Sequence, residues 1–334
     1  MLESPRLPAM TIVFMGSPQF AVPCLRALVR AGYDIAAVYT QADKPAGRGR
    51  RPTPSPISLA ARELGLTVRQ PLSLRGEEEV AALAALSPQA IVVCGYGRIL
   101  HQHFLEVPPK GALNVHPSLL PRHRGASPIP AAILAGDDET GVTVMLTDPG
   151  MDTGPILAQR SLPITPFDTA ATLTEKLSTM AAALLLDTLP RWLAGDIEPQ
   201  AQDDSRATVT PLLRKGHGAI DWTAPAADIW RQVRAYDPWP GAFTALAGQL
   251  LHIWEAWPLT SSGGAEPATV VALTPEQLAA LPPQLPRQAF GVQTGDGVLV
   301  ALEVQLAGRR RLTAADFLRG RRDLLGQRLL APRQ

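Results

Sequence analysis

The sequence predicts an α/β protein, an open and mostly parallel sheet followed by a smaller β-barrel. Three observations predict it. From Thr11 to His116 short apolar runs alternate with segments of helical period, the pattern of strands and helices laid down in turn. Several of those runs are continuously apolar rather than alternating, as strands covered on both faces are. Beyond Gly218 the helices thin out and short strand-like runs divided by glycine-rich turns take over, which suits a small barrel.

The elements follow in order. Thr11–Met15 is an apolar run halted at Gly16-Ser17-Pro18, a strand entering a turn. Phe20, Cys24, Leu25 and Leu28 recur at helical spacing, and Gly32 is placed to end that helix. Ile35–Tyr39 reads as a second strand, Pro56–Leu64 and Gly76–Leu86 as helices, Ala90–Cys94 and Ala112–His116 as buried strands. After Gly136, Val142, Val144 and Leu146 alternate with Thr143 and Met145. Ile156–Ile164 is again extended, so a hairpin-like pair is expected to join the sheet. Thr169–Leu193 is a long Ala/Leu-rich helix. Asp196–Gly218 is polar and rich in breakers, which predicts a linker over 196–217. Pro225–Ala235 is helical and stops at Asp237-Pro-Trp-Pro-Gly241. Strands are expected at Phe243–Leu246, Leu250–Ala256, Thr269–Leu273, Gly291–Thr294 and Val298–Val304, with a closing helix at Ala314–Arg319. Apart from the run at Thr269–Leu273, Leu259–Arg287 is rich in Pro and Ala and is left unplaced. The expected organisation is an extension over 1–9, a catalytic domain over 10–195, the linker, and a second domain over 218–334. Met10 is an alternative start.

Composition narrows the class. The 334 residues are 46% hydrophobic and 18% charged with a net charge of +1, enough for two cores and too balanced for a global pull onto nucleic acid. Any basic patch must be local. Only four of the 31 basic residues are lysine (Lys44, Lys110, Lys176, Lys215). Cys24 and Cys94 both lie in apolar stretches, which fits a reducing compartment. Met1–Ala9 has no signal-like apolar region, and no apolar stretch approaches the roughly 20 residues that span a bilayer. A soluble, cytoplasmic protein is expected. A monomer is the default, since no self-complementary apolar stripe is visible.

The chemistry concentrates between Gly111 and Gly154. Asn114 and His116 are two apart at the end of a strand and project to one face, where ligands of open parallel sheets bind. Asp152 lies in the loop between the two hairpin strands and is expected to approach His116. Such a trio suits transfer of an acyl-level carbon to an amine. Asn114 would donate to the developing oxyanion. His116 would donate a second hydrogen bond, and a neighbouring aspartate favours the imidazolium form. Asp152, directly or through water, would take the proton that the nitrogen loses. An α-amino group titrates near roughly 7.7–8, so no covalent nucleophile is required. Each of the three also fits an ordinary structural role, and spacing alone reaches only "α/β enzyme".

Asn114-Val-His116, Ser118-Leu-Leu-Pro121, Arg124-Gly-Ala126 and Gly150-Met-Asp152-Thr-Gly154 occur in that order, and they resemble the signature of the folate-dependent formyltransferases. The resemblance implies a Rossmann-like catalytic domain with Asn114, His116 and Asp152 as its catalytic residues. It implies a tetrahydrofolate site to which Ser118, Leu119, Leu120 and Pro121 contribute, 10-formyltetrahydrofolate as donor, and no metal. Ile12–Ala21, Gln41–Arg51 and Pro54-Ser-Pro56 resemble the branch of that family whose acceptor is the initiator methionyl-tRNA. In that branch the basic loop enters the acceptor stem, which implies tRNA contacts from Lys44, Arg48, Arg50 and Arg51, with Arg48 foremost. Four cations in eight residues, spaced by glycines, suit RNA phosphates and equally a solvated surface loop.

Ile220-Asp-Trp222, Ile229–Ala235, Asp237–Ala242 and Ala314–Arg322 resemble the same branch's second domain. They imply an OB-like, tRNA-holding barrel in which Arg309–Arg311 and Arg319–Arg322 add local charge. The resemblance runs from about Met10 to Arg328. It departs at Pro117, where many members carry Gly, at His123, where Trp is common, and over Leu259–Arg287, which is longer than usual.

Other signals are weaker. Gly16-Ser17-Pro18 lacks the G-x-G-x-x-G spacing of a dinucleotide site. His101 and His103 have no third metal ligand beside them in sequence. Two other functions compete: a formyltransferase acting on an amino sugar or other small amine, which would not need the basic loop, and an inert tRNA-binding protein, which would not need the trio.

Overall fold

The computed structural model describes residues 10–46, 51–261, 264–321 and 323–330. The extension at 1–9 and the basic residues Arg48, Arg50 and Arg322 lie outside the described residues, as do the side chains of Lys44 and Arg51. The chain divides into two compact units. One comprises Met1–Pro128, Asp138–Pro163 and Leu173–Pro211, and the other Ile129–Asp137, Ile164–Thr172 and Leu212–Gln334.

The first unit is built on a seven-stranded sheet. Its strands are β1 (Thr11–Gly16), β2 (Asp34–Tyr39), β5 (Val68–Arg69), β6 (Ala90–Cys94), β7 (Ala112–His116), β9 (Glu139–Leu146) and β10 (Ile156–Pro163), in the order β10-β9-β7-β6-β1-β2-β5. Between β2 and β5 in sequence lies a short ribbon, β3 (Lys44–Ala46) against β4 (Arg51–Thr53). From β7 to β5 all neighbours are parallel, and the β9–β10 pair joins antiparallel. This is the Rossmann-like arrangement that the alternation of patterns predicts, with the expected hairpin pair at one edge. Ile12 to Met15 and all of β6 are buried, which is why those strands read as unbroken apolar runs.

Helices α1 (Val22–Arg30), α2 (Pro56–Glu63), α3 (Glu77–Ala84) and α4 (Gln102–Leu105) alternate with the strands. Gly32 adopts φ +84° just beyond α1, the left-handed stop that a Cβ would oppose. One core cluster joins Val13, Met15, Ala37, Tyr39, Ile91 and Val93 to Leu83 of α3 and Phe104 of α4. Tyr39 meets Phe104 edge-on at 6.1 Å.

A second pairing matters more for function. The two-residue strands β8 (Arg124–Gly125) and β11 (Val209–Thr210) run parallel, Arg124 beside Val209 and Gly125 beside Thr210. Upstream of β11, Ile156 and Gln200 exchange main-chain hydrogen bonds at 2.7 and 2.9 Å. Residues 200–210, inside the stretch predicted as a linker, are therefore bonded into the first unit. The segment has no apolar periodicity because polar side-chain and main-chain bonds hold it rather than a buried face. Helices α5 (Pro128–Ala135) and α6 (Ala170–Ala194) complete the first two-thirds of the chain.

The second unit contains α7 (Ala226–Ala235) and the strands β12 (Ala242–Leu246), β13 (Gln249–Leu259), β14 (Val270–Val271), β15 (Phe290–Gln293), β16 (Val298–Leu306) and β17 (Leu312–Thr313), with α8 (Pro275–Ala279) and α9 (Ala314–Gly320). The strand order is β12-β13-β16-β15-β14, with β17 on β16 and every pair antiparallel. Residues 326–330 run between the two edges. Leu330 exchanges hydrogen bonds with Ala245 on β12, while Gly326, Gln327 and Leu329 bond Val270 and Ala268 beside and on β14. That closing segment makes the sheet OB-like and leaves neither edge bare. Ile229 and Val233 of α7 and Phe317 of α9 fill its core. The stretch that resisted assignment, Leu259–Arg287, holds α8 behind a Thr274–Gln277 capping box, and Leu281 and Leu285 pack with Val300 and Leu302. A five-residue helix is too short to leave a periodic signal.

Candidate active site

β7 places Asn114 and His116 on one side of the sheet at its carboxyl end, and the β9–β10 connection places Asp152 against both. Asn114 Nδ2 donates to Asp152 Oδ1 at 3.0 Å. His116 Nδ1 stands 3.6 Å from Asp152 Oδ2, beyond hydrogen-bond length. At the other end of the ring, His116 Nε2 is 3.0 Å from the carbonyl oxygen of His123. A carbonyl only accepts, so Nε2 carries a hydrogen and Nδ1 is the nitrogen left facing the carboxylate. The imidazole is nearly buried, whereas the Asp152 side chain keeps 17% of its surface open, which leaves the carboxylate reachable.

The loop that carries Asp152 is shaped by its own sequence. Asp148 accepts from Gly150 N at 3.1 Å and from Thr153 Oγ1 at 2.8 Å, which folds Asp148–Thr153 back on itself. Asp152 then sits at φ +54°, a conformation that costs a residue with a Cβ about 1–2 kcal/mol. Its carboxylate offsets this by accepting Asn114 Nδ2 and, at 2.8 Å, Gly125 N, since each hydrogen bond to an ionised group contributes about 1.5–3 kcal/mol. Gly154 packs against the Leu146 carbonyl so closely that a Cβ would overlap it, which accounts for the glycine that ends the motif. His123 is also left-handed, at φ +60°, and its N donates to Thr208 Oγ1 at 2.8 Å.

The other candidates separate into groups. Ser118 is fully buried and its hydroxyl donates to the Arg122 carbonyl at 2.7 Å. Leu120 is buried as well, its N donating to Thr143 Oγ1 at 3.2 Å and its carbonyl accepting Gln159 Nε2 at 2.8 Å. The main chain at Ser118 and Leu120 is thereby bonded to Thr143 of β9 and Gln159 of β10. Leu119 and Pro121 are half-exposed, and Gly141 opposite leaves room for Leu119. The β3–β4 ribbon brackets the tip of the basic loop, with Ala46 opposite Arg51. In the second unit Arg311 lies 3.8 Å over Trp254 and 3.5–3.6 Å from Glu303 and Asp237, so its charge is largely compensated. Among the described residues no three His, Cys, Asp or Glu side chains converge as a metal centre, and His101 Nε2 accepts from Arg75 Nε at 2.9 Å.

Sequence reasoning quoted Arg124 as part of a motif but missed its partners Gln202 and Asp204. Gln202, Arg124 and Asp204 form a chain of contacts that ends on the main chain of Asp152. The only trace of those partners in the sequence is the Gln202-Asp203-Asp204 run in a stretch that reads as a connector.

Comparison with known proteins identifies the family. The formyl transferase family model matches residues 10–189 and the formyl transferase C-terminal domain model matches residues 212–322. Methionyl-tRNA formyltransferase of Chloroflexus aggregans is 48% identical over 93% of this chain and 97% of its own length. That of Methylococcus capsulatus is 45% identical over 96% and 99%. Among solved structures, an N-formyltransferase from Helicobacter canadensis in complex with folinic acid and dTDP-3-aminofucose superposes with a TM-score of 0.63 at 18% identity, over 87% of this chain and 98% of that one. HypX from Aquifex aeolicus in complex with tetrahydrofolic acid gives 0.61 at 18%, over 96% of this chain but only 49% of that chain. At such identities these two share the fold. With both of its domains matched and relatives near half-identical along almost its whole length, the chain belongs to the methionyl-tRNA formyltransferase family.

Proposed function

We propose that this protein transfers the formyl group of 10-formyltetrahydrofolate to the α-amino group of initiator methionyl-tRNA, with Asn114, His116 and Asp152 as its catalytic residues. The observation that carries the reading is the convergence of a carboxamide, an imidazole and a carboxylate within 3.0–3.6 Å in a chain of this family. The folate supplies the carbon at the oxidation level of formate. The amine nitrogen bonds to the formyl carbon, the bond from that carbon to N10 of the folate breaks, and tetrahydrofolate leaves with a proton on N10 in balance with the one the amine loses. The donor set fits that chemistry, with polar groups poised for an oxygen that gains charge and a nitrogen that loses a proton.

Each residue's part follows from its bonding. An asparagine amide has two hydrogens, and Asn114 commits one to Asp152, which leaves the second for the formyl oxygen. His116 holds its Nε2 hydrogen on the His123 carbonyl, so any further donation comes from Nδ1. Nδ1 can donate only when the ring carries hydrogens on both nitrogens, and a hydrogen there would face the developing oxyanion. Asp152 already accepts from Asn114 and Gly125, which orients it, and its open side accepts the proton released by the amine. Leu119 and Pro121 are the parts of the Ser118–Pro121 segment exposed enough to border the folate. Lys44, Arg48, Arg50 and Arg51 are proposed to engage the acceptor end of the tRNA. Four cations within the eight residues 44–51, spaced by glycines, support that reading. The division into a catalytic domain at 10–195 and a tRNA-holding domain at 218–334, a monomeric state and a cytoplasmic location belong to the same proposal. The location is supported by two buried free thiols; among the described residues no helix is long and apolar enough to cross a membrane.

The deciding assay supplies 10-formyltetrahydrofolate together with charged initiator tRNA, charged elongator methionyl-tRNA, or amino sugars. Formylation of the initiator species alone supports the reading. Formylation of amino sugars in preference to tRNA overturns the acceptor, and no formylation of any amine overturns the enzyme.

A further inference from the structure

The structure assigns a positioning role to Gln202: it clamps the main chain of Asp152 to the buried guanidinium of Arg124 and thereby fixes the catalytic carboxylate. The inference rests on the reading of Asp152 given above. Gln202 Nε2 donates to the carbonyl of Asp152 at 2.9 Å and to that of Gly154 at 2.7 Å. Its Oε1 accepts from Arg124 Nε at 3.1 Å and Nη2 at 2.9 Å. Two donors and two lone pairs are the whole capacity of a carboxamide, and every one is used. Only Gln has the chemistry for this place. Glutamate would set an oxygen against two carbonyls, and leucine would strand both carbonyls and the arginine.

The Arg124 side chain is 8% exposed, and its carboxylate partner Asp204, at 2.7 Å, is 84% exposed. An ion pair to so exposed a partner is screened and contributes little, so the buried anchor of the guanidinium is Gln202. The next residue along, Gly125, donates its N–H to Asp152 Oδ2 at 2.8 Å. One short segment therefore grips Asp152 twice, on the carboxylate through Gly125 and on the main chain through Arg124 and Gln202. The same strap reaches the imidazole. Thr208 Oγ1 holds His123 N at 2.8 Å, and the His123 carbonyl is the acceptor for His116 Nε2. Residues 200–210 thus set the geometry of both His116 and Asp152, and a displacement of about 1 Å in such a group costs on the order of 100-fold in rate.

The test is a double-mutant cycle in the full-length protein, with kcat, both KM values and thermal unfolding measured for Gln202→Leu, Gln202→Glu, Asp152→Asn and Gln202→Leu/Asp152→Asn, the slow variants by single turnover. Gln202→Glu preserves size and the contact to Arg124, and it stands in for Gln202→Leu if that variant has no cooperative thermal transition. The expected result is a fall in kcat of about 10–100-fold for either Gln202 variant, with both KM values within about threefold. Once Asp152 is already Asn, Gln202→Leu should change the rate by less than about twofold, because the clamp acts through that carboxylate. An equal loss in both backgrounds, or a raised KM with unchanged kcat, overturns the clamp. Asp152→Asn inactive while both Gln202 variants turn over normally overturns the clamp alone, whereas near-normal turnover by Asp152→Asn overturns the catalytic reading beneath it.

Discussion

At Asn114 one amide hydrogen is donated to Asp152, and among the described residues the other has no partner. A donor of that kind costs no reorganisation when charge develops on a nearby oxygen. Asn114→Ala should therefore lower kcat by about 100–1000-fold, the cost of deleting one oxyanion donor, while KM for tRNA stays near its original value; single-turnover formylation checks this. A second residue reports on the barrel. His252 stacks on Trp254 at 5.2 Å with the rings 9° apart, and its pKa is lowered by burial and by the nearby Lys215 and Arg311 charges. A histidine held neutral in the fold takes up its proton more readily when unfolded, so the unfolded state binds more protons below the unperturbed value of about 6.5. Above that pH the residue contributes nothing. As the pH falls from there through its lowered folded pKa, stability should be lost. The fall in Tm between pH 7.5 and 5 should shrink in His252→Gln, and an unchanged fall would remove the residue from the account.

The active-site loop and the closing segment of the barrel each work as elements. Between β9 and β10, the left-handed Asp152 is held by Asp148 on one side and by the snug seat of Gly154 on the other. A methyl group at position 154 would meet the Leu146 carbonyl, a backbone atom that cannot swing aside. Gly154→Ala should shift the loop and reduce kcat by at least about tenfold with the protein still folded, as kinetics beside circular dichroism would show. The segment 326–330 closes the second unit through main-chain bonds to Ala245, Ala268 and Val270 and buries Leu329 in the core. Leu329→Ala should cost about 2–5 kcal/mol, the usual range for truncating a buried leucine, read from denaturant unfolding of the second unit. A cost below about 1 kcal/mol would mean that the barrel does not depend on this closure.

For the molecule as a whole, a net charge of +1 provides no long-range pull on RNA, so affinity must come from few, local cations. Binding should then respond to salt in small, countable steps. If Arg48 neutralises one phosphate, Arg48→Ala should weaken tRNA binding and reduce the slope of log K against log salt by about 1. Filter binding at several salt concentrations measures that slope, and an unaltered value would make position 48 an ordinary surface arginine. The same scale explains what could be read in advance. The parallel sheet was legible because Ile12–Met15 of β1 and all of β6 are buried and so must be apolar without interruption. The trio was legible because its motif is local: Asn114 and His116 share a strand, and the glycines at 150 and 154 mark a loop built to carry Asp152. The strap at 200–210 was not. Its side-chain hydrogen bonds to the rest of the unit link residues 48 to 86 positions apart, and a polar segment that bonds distant main chain has the composition of a linker.

The sequence by itself determined most of the elements, the family, and the motifs that carry Asn114, His116 and Asp152, since periodicity, turn residues and motif order are properties of neighbouring positions. Only the tertiary structure decided which nitrogen of His116 is free, that Ser118 and Leu120 face inward, and that Gln202 reaches Asp152. Those facts depend on which atoms meet across the fold, and hydrogen bonds, being short and directional, are fixed only when the chain has closed on itself.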